Sequence, residues 1–304
     1  MEIGLTQAVN YQAAAKDKRP VLVLLIASIF WGLSWWPLKS LHQMGFDGPF
    51  IIFVAYGLLS LLFLPILWRF RASLKNNLKP WLLIAVLGGG ANLAFNYSLI
   101  YGDVIRVMVL FYLLPLWGVL GGKFILKERV PMLGWLAAGL AISGAFLVVG
   151  GVEVFESPPT WIDFLALLSG FLFAMNNIAF RGVQSLPVVV KLSALFIGTM
   201  LMSGMLVFNQ GIHLASEIPS MAWLWLAAFG LIWLLISNLG SQWAVTHMPA
   251  SQSSIIMIME LVAAVVSAML LNGETLNLIE GLGAALILSA ALIEALRTHK
   301  DSDT

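Results

Sequence analysis

The sequence predicts an all-α membrane protein with ten transmembrane helices in two inverted five-helix repeats, and three observations carry that prediction. Hydrophobic residues make up 60% of the 304-residue chain and charged residues only 10%, whereas a water-soluble domain carries about a quarter charged residues to cover its surface. The apolar residues come as ten runs, each near the roughly 20 residues that a helix needs to cross the hydrocarbon core. The chain also aligns with itself at an offset of 146 residues.

The first run, Val21 to Leu38, follows Lys16-Asp17-Lys18-Arg19-Pro20. It is too long for a signal-peptide core and has no small-residue cleavage pattern behind it, so it is expected to stay as the first span. The others fall near 49–68, 80–100, 104–124, 131–150, 160–180, 188–208, 221–244, 250–271 and 276–296. Pro20, Pro49, Pro80 and Pro131 lie in first turns, where their missing N–H costs nothing, and Thr160-x-x-Asp163 has the form of a capping box before the sixth span. The expected division is a tail over 1–19, a first half over 20–150, a linker over 151–159, a second half over 160–296 and a tail over 297–304.

Lysine and arginine accumulate in cytoplasmic loops, so they orient the spans. Fourteen of them, from Lys16 to Lys300, fall on the side of the amino terminus, and only Lys39 and Arg106 on the other. Both termini and the 69–79 loop are therefore expected in the cytoplasm, and the 151–159 linker with Glu153 and Glu156 outside. A net charge of +1 gives no sign of a nucleic-acid partner, and with no cysteine there is no disulfide, thiolate nucleophile or thiolate metal site. His42, His213, His247 and His299 are scattered without ligand spacing, and no nucleophile stands beside a base, so neither an enzyme nor a bound cofactor is expected.

The repeat aligns Ala91 to Ala145 with Ser237 to Ala291 without a gap, pairing Asn92 with Asn238 and Glu128 with Glu274. Near an offset of 142 the first span matches the sixth, with Lys39 against Arg181. Five spans per half is an odd number, so the second half enters the membrane inverted. Inverted repeats are the architecture of secondary transporters, which hold a substrate near the midplane and expose it to each side in turn.

Trp31-Gly32-Leu33-Ser34 followed by Lys39, the stretch Asn92 to Leu114, the ending Leu126-Lys127-Glu128-Arg129, and Met259-Glu260-Leu261-Val262 ending at Gly273-Glu274 resemble the EamA-type transporters of the drug/metabolite transporter superfamily. The resemblance covers nearly the whole chain. It implies ten helices with both ends cytoplasmic, a central cavity lined mainly by spans 1, 3, 4, 6, 8 and 9, and export of small metabolites, often amino acids, across the bacterial inner membrane. Met108 to Trp117 is also similar to the corresponding stretch of aromatic amino acid exporters. One departure stands out: where the family usually has proline after the acid of the ninth span, this chain has Leu261.

Polar residues inside the spans are the candidate site, because an ionisable group at mid-membrane costs about 2.5–3.5 kcal/mol and normally faces a cavity or a partner. Glu260, about ten residues into its span, is a candidate for proton coupling; the plainer alternative is an acid that joins helices. Asn92 and Asn96 share one face of the third span, and Asn238 and Gln242 are their counterparts on the eighth. These amides, with Asn176 on the sixth span, suit either substrate binding or interhelical bonding worth about 0.6 kcal/mol each. Trp31, Trp35 and Tyr112 are expected to offer aromatic faces to a substrate. Arg106 is either paired with Asp103 or an anchor for a substrate carboxylate. Gly88-Gly89-Gly90 is expected to serve close helix packing, and Glu128 and Glu274 to complement the N-termini of spans five and ten. The expected function is export of amino acids or related amphipathic compounds, with a small-molecule substrate and the lipid bilayer as partners. Efflux of aromatic or cationic drugs is the alternative within transport, and a membrane receptor or assembly subunit the one outside it.

Overall fold

The computed structural model describes residues 18–113, 132–148, 159–183, 185–247 and 250–302, together with residues 116, 117, 120 and 123. The tail over 1–17, Glu128, Pro131, and Glu153 and Glu156 of the linker lie outside the described residues. Among the described residues all regular structure is helical. Arg19–Gln43, Gly48–Arg69, Leu78–Tyr101, Trp161–Phe180, Val188–Gln210 and Ser220–Val245 are long and apolar enough to cross a membrane, and Met132–Val148, Ile256–Asn272 and Leu278–Ile293 are shorter apolar helices. The predicted capping box forms at the start of the sixth span: Thr160 Oγ1 accepts from the Asp163 N–H and Asp163 Oδ2 from the Thr160 N–H at 2.7 Å.

Two spans expected as continuous helices are broken, and proline explains both. The first is divided into Arg19–Gly32 and Trp35–Gln43. Pro37 has no N–H for the Leu33 carbonyl and its ring crowds that group, so Trp36 bonds it instead, and Ser34 reaches back only to Trp31. The Phe30 carbonyl thereby loses its ordinary partner. It is satisfied by the Ser34 hydroxyl at 2.8 Å and by the Trp233 indole N–H, also at 2.8 Å. In the fourth span the helix Val104–Phe111 ends where Pro115 offers Phe111 no N–H. The repeat counterpart of Pro115 is Leu261, which retains its N–H, and the ninth span runs unbroken from Ala250 to Ser267. One proline present in one half and replaced by leucine in the other thus makes the two related spans different.

Packing repeats when five is added to each span number. The third span packs on the sixth and seventh as the eighth does on the first and second; the fourth packs on the sixth as the ninth does on the first. The second and seventh, fourth and ninth, and fifth and tenth pair with each other. This exchange is what a two-fold relation between halves requires, and it interleaves them around one core containing Tyr56, Phe111, Phe196 and Leu261. Loop bonds follow the expected alternation. Ala215 N–H bonds Gly45 across the first and seventh connections, and Ser185 Oγ donates to Asn77 Oδ1 across the sixth and second. The crossing of spans three and seven is backbone to backbone: a Cβ on Gly198 would overlap the Ala85 carbonyl, and one on Gly89 would lie 2.5 Å from the Gly198 carbonyl carbon. Gly198→Leu is therefore expected to prevent stable folding, costing more than the 1–3 kcal/mol usual for overpacking; recovery of monodisperse protein from detergent would be the measure.

Candidate functional site

The two helix breaks face the ninth span at Glu260. Gly32, the last residue before the first break, lies so close that a Cβ there would overlap the Glu260 carbonyl and stand 2.9 Å from Ala263 Cβ. From the fourth span Tyr112, the residue that closes the helix before its break, donates to the Met257 carbonyl at 2.9 Å, and its hydroxyl is also within hydrogen-bonding reach of the Glu260 carboxyl. Both side chains are buried, Glu260 at 7% exposure and Tyr112 at 5%. Interrupted helices whose loose ends meet at the contact between halves are where transporters of this architecture place polar sites.

The first break also separates Trp31 from Trp35, so they do not share one helix face. Trp31 is half-buried against the core, while Trp35 is buried and donates its indole N–H to Ser267 Oγ of the ninth span at 2.9 Å. Asn92 and Asn96 are brought together by a residue that sequence reasoning missed. The Tyr56 hydroxyl of the second span donates to Asn92 Oδ1 at 3.0 Å and accepts from Asn96 Nδ2 at 3.3 Å. An aromatic in an apolar run reads as core, and only the need of two buried amides for a partner could have pointed to it. Each side-chain amide also donates one turn back, Asn92 to the Gly88 carbonyl and Asn96 to the Asn92 carbonyl, as Asn238 does to that of Leu234. Asn96 Oδ1 and Asn176 Oδ1 are buried without a hydrogen-bond partner among the described residues. Gln242 is half-buried and Asn177 exposed. Ser34 and Trp233, which hold the first break, were likewise not singled out, because their role depends on a carbonyl freed by Pro37.

A charged cluster closes the end of the bundle that bears Lys39 and Arg106. Glu274 does not serve the tenth span, as its position suggested. Its carboxylate caps the fourth, accepting from Val104 N–H at 3.0 Å and Ile105 N–H at 2.9 Å, because Gly273 in the left-handed conformation (φ +68°) turns the chain away from the ninth span. The tenth span is capped by Asn277 and Glu280, each accepting from the other's N–H. Lys39 donates to the Gly102 carbonyl at 2.8 Å and lies 3.9 Å from Glu274. The Arg106 guanidinium grips Asp163 of the sixth span through two bonds of 2.6 and 3.0 Å, while Asp103 caps the Arg106 backbone N–H. The geometry at Arg106 is therefore that of a carboxylate fork, occupied by a carboxylate of the chain itself.

Loss of water around Asp103, opposed by the Arg106 N–H and reinforced by the Glu274 carboxylate, holds the Asp103 carboxyl above its ordinary range. A raised acid contributes its stability at low pH and loses it as pH rises through the folded value. Asp103→Asn keeps a good capping oxygen and is expected to raise thermal stability at neutral pH, with the gain vanishing in acid; melting in detergent at both pH values measures it.

Two apolar grooves, of about 430 Å³ beside Phe53, Met200 and Phe208 and about 980 Å³ beside Leu61, Trp68 and Arg71, include none of these site residues.

Comparison with known proteins agrees with this architecture. No functionally curated protein matches the chain. A crystal structure of another protein superposes with a TM-score of 0.61 at 14% identity, over 94% of this chain and 99% of its own; that likeness shows the fold alone. The profile of the EamA-like transporter family matches twice, over residues 18–150 and 160–294. Two such matches, on halves that pack by exchange and meet at broken helices, make this chain a member of the EamA-like transporter family, a multi-pass membrane transporter and not an enzyme.

Proposed function

We propose that the protein exports small amphipathic metabolites, amino acids or close relatives, from the bacterial cytoplasm by alternating access between its halves, 20–150 and 160–296. The observation that carries this reading is the meeting of the first and fourth span breaks at Glu260 and Tyr112, a polar site at the contact between halves. Trp31, Trp35, Asn92, Asn96, Asn176, Asn238 and Gln242 supply the aromatic faces and amides for an amphipathic substrate, and Arg106 would receive a substrate carboxylate by exchanging Asp163 for it. The basic residues put both termini and the 69–79 loop in the cytoplasm of an inner-membrane protein, so the Glu274 cluster is external. A cysteine introduced in the 69–79 loop of this cysteine-free chain should resist impermeant maleimide on intact cells; labelling there would reverse the orientation.

One observation favours efflux of cationic or aromatic drugs as the second reading. The Arg106 fork is filled, while Glu260 faces a hydroxyl and no cationic side chain among the described residues. Thermal shifts of the purified protein separate the two: amino acids raise the melting temperature on the first reading and lipophilic cations on the second, since only a bound ligand stabilises the folded state.

A further inference from the structure

Tyr112 has a single hydroxyl hydrogen and two neighbours that can receive it. In the structure it goes to the Met257 carbonyl at 2.9 Å; the Glu260 carboxyl, three residues further along the same helix, and the Leu261 N–H, which can only donate, are the other polar groups on that hydroxyl. An ionised carboxylate only accepts, whereas a protonated one can donate. While the hydrogen stays on Met257, the hydroxyl oxygen can only accept, so the contact with Glu260 is a hydrogen bond only when Glu260 carries a proton. When Glu260 ionises, the same hydroxyl must turn its hydrogen to the carboxylate and leave Met257. The Met257 carbonyl is not stranded by that turn, because Leu261, in unbroken helix, keeps the N–H four residues on, which lies between that carbonyl and the Tyr112 oxygen. Proline at that position would remove it. The repeat counterpart of Leu261 is Pro115, a residue with no N–H to offer the carbonyl four residues before it.

We propose that Tyr112 is a positioning residue for the proton on Glu260: its hydroxyl switches between the Met257 carbonyl and the carboxylate, so that ionisation of Glu260 is met by a donor from the opposite half. This rests on the reading of Glu260 as the proton-carrying group of the transporter. The first, eighth and tenth spans also pack on the ninth, yet among the described residues none of them brings a charged or titratable group to this carboxyl, and Tyr112 of the fourth is the one that faces it. Gly32 supplies only backbone there. The ionised state of Glu260 therefore depends on this hydroxyl.

The proton can be followed without knowing the substrate, by infrared difference titration of the full-length protein in lipid nanodiscs. The band to follow is the carbonyl stretch of a protonated carboxyl that disappears in Glu260→Gln. Tyr112→Phe removes the donor to the ionised form, and one hydrogen bond to a charged group corresponds to an upward movement of the midpoint by about one to two pH units. Incorporation of 3-fluorotyrosine at position 112 keeps the ring and strengthens the donor, so it should move the midpoint down; it decides the matter if Tyr112→Phe does not fold. A midpoint unmoved by either change overturns the role of Tyr112 and leaves that of Glu260 standing. A Glu260 band that titrates nowhere between pH 4 and 10, a range set by about the ordinary span of side-chain values, overturns the proton-carrier reading and this inference with it.

Discussion

Glu260→Gln should leave the protein folded and substrate exchange at equal pH intact, while abolishing the dependence of transport on a pH gradient. The amide has the shape of the protonated acid and can accept from or donate to the Tyr112 hydroxyl, but it cannot titrate. The whole gradient-driven component is therefore expected to vanish, rather than a fraction of it. The change is also well tolerated sterically, since the ninth span is held at this point by backbone contact with Gly32 and by Leu261 in the core. If the variant is merely less stable and its response to a pH gradient survives, Glu260 joins helices and does not carry the proton.

Glu274→Ala is expected to loosen the end of the bundle that bears Lys39 and Arg106. It removes an acceptor shared by two N–H groups at the start of the fourth span and the anionic partner of Lys39. Together with the Arg106–Asp163 pair, these contacts tie the first, fourth, sixth and ninth-to-tenth segments to one another. In an alternating-access cycle that end has to part, and the contacts made only in the closed form set how often it does. Losing a cap of this kind costs about 2 kcal/mol, which is roughly thirty-fold in the ratio of closed to open forms. Labelling of a cysteine placed at Tyr97, half-buried one turn inside the end of the third span, should accelerate by a similar factor. Glu274→Gln keeps an uncharged acceptor and should fall between. Equal labelling rates in all three proteins would mean that the cluster does not hold this end shut.

The contrast between Glu274 and Thr160 illustrates what a sequence exposes. The capping box at Thr160 and Asp163 closes within four residues, so local spacing revealed it and the structure contains it. Glu274 caps a helix about 170 residues away, and nothing in its neighbourhood distinguishes that from capping the next helix. Span positions were legible because the bilayer imposes a length, and the halves because Asn92 and Asn238 stand at a fixed offset. The breaks were legible in principle, since Pro37 and Pro115 lie inside apolar runs, yet hydrophobic run length alone passes over them. The Tyr56 link to Asn92 and Asn96, and the approach of Tyr112 to Glu260, are contacts between helices whose rotation about their axes follows from packing. A hydrophobic surround on all sides leaves that rotation unwritten in the pattern of residues.

The most direct measurement is uptake by the purified protein in sealed liposomes preloaded with an unlabelled panel of amino acids, related metabolites and lipophilic cations, with each labelled compound offered outside in turn. Saturable counterflow of at least one amphipathic amino acid or relative is expected, requiring the same compound inside. Sealed, correctly folded protein that exchanges no member of the panel, or that exchanges only lipophilic cations, would contradict it.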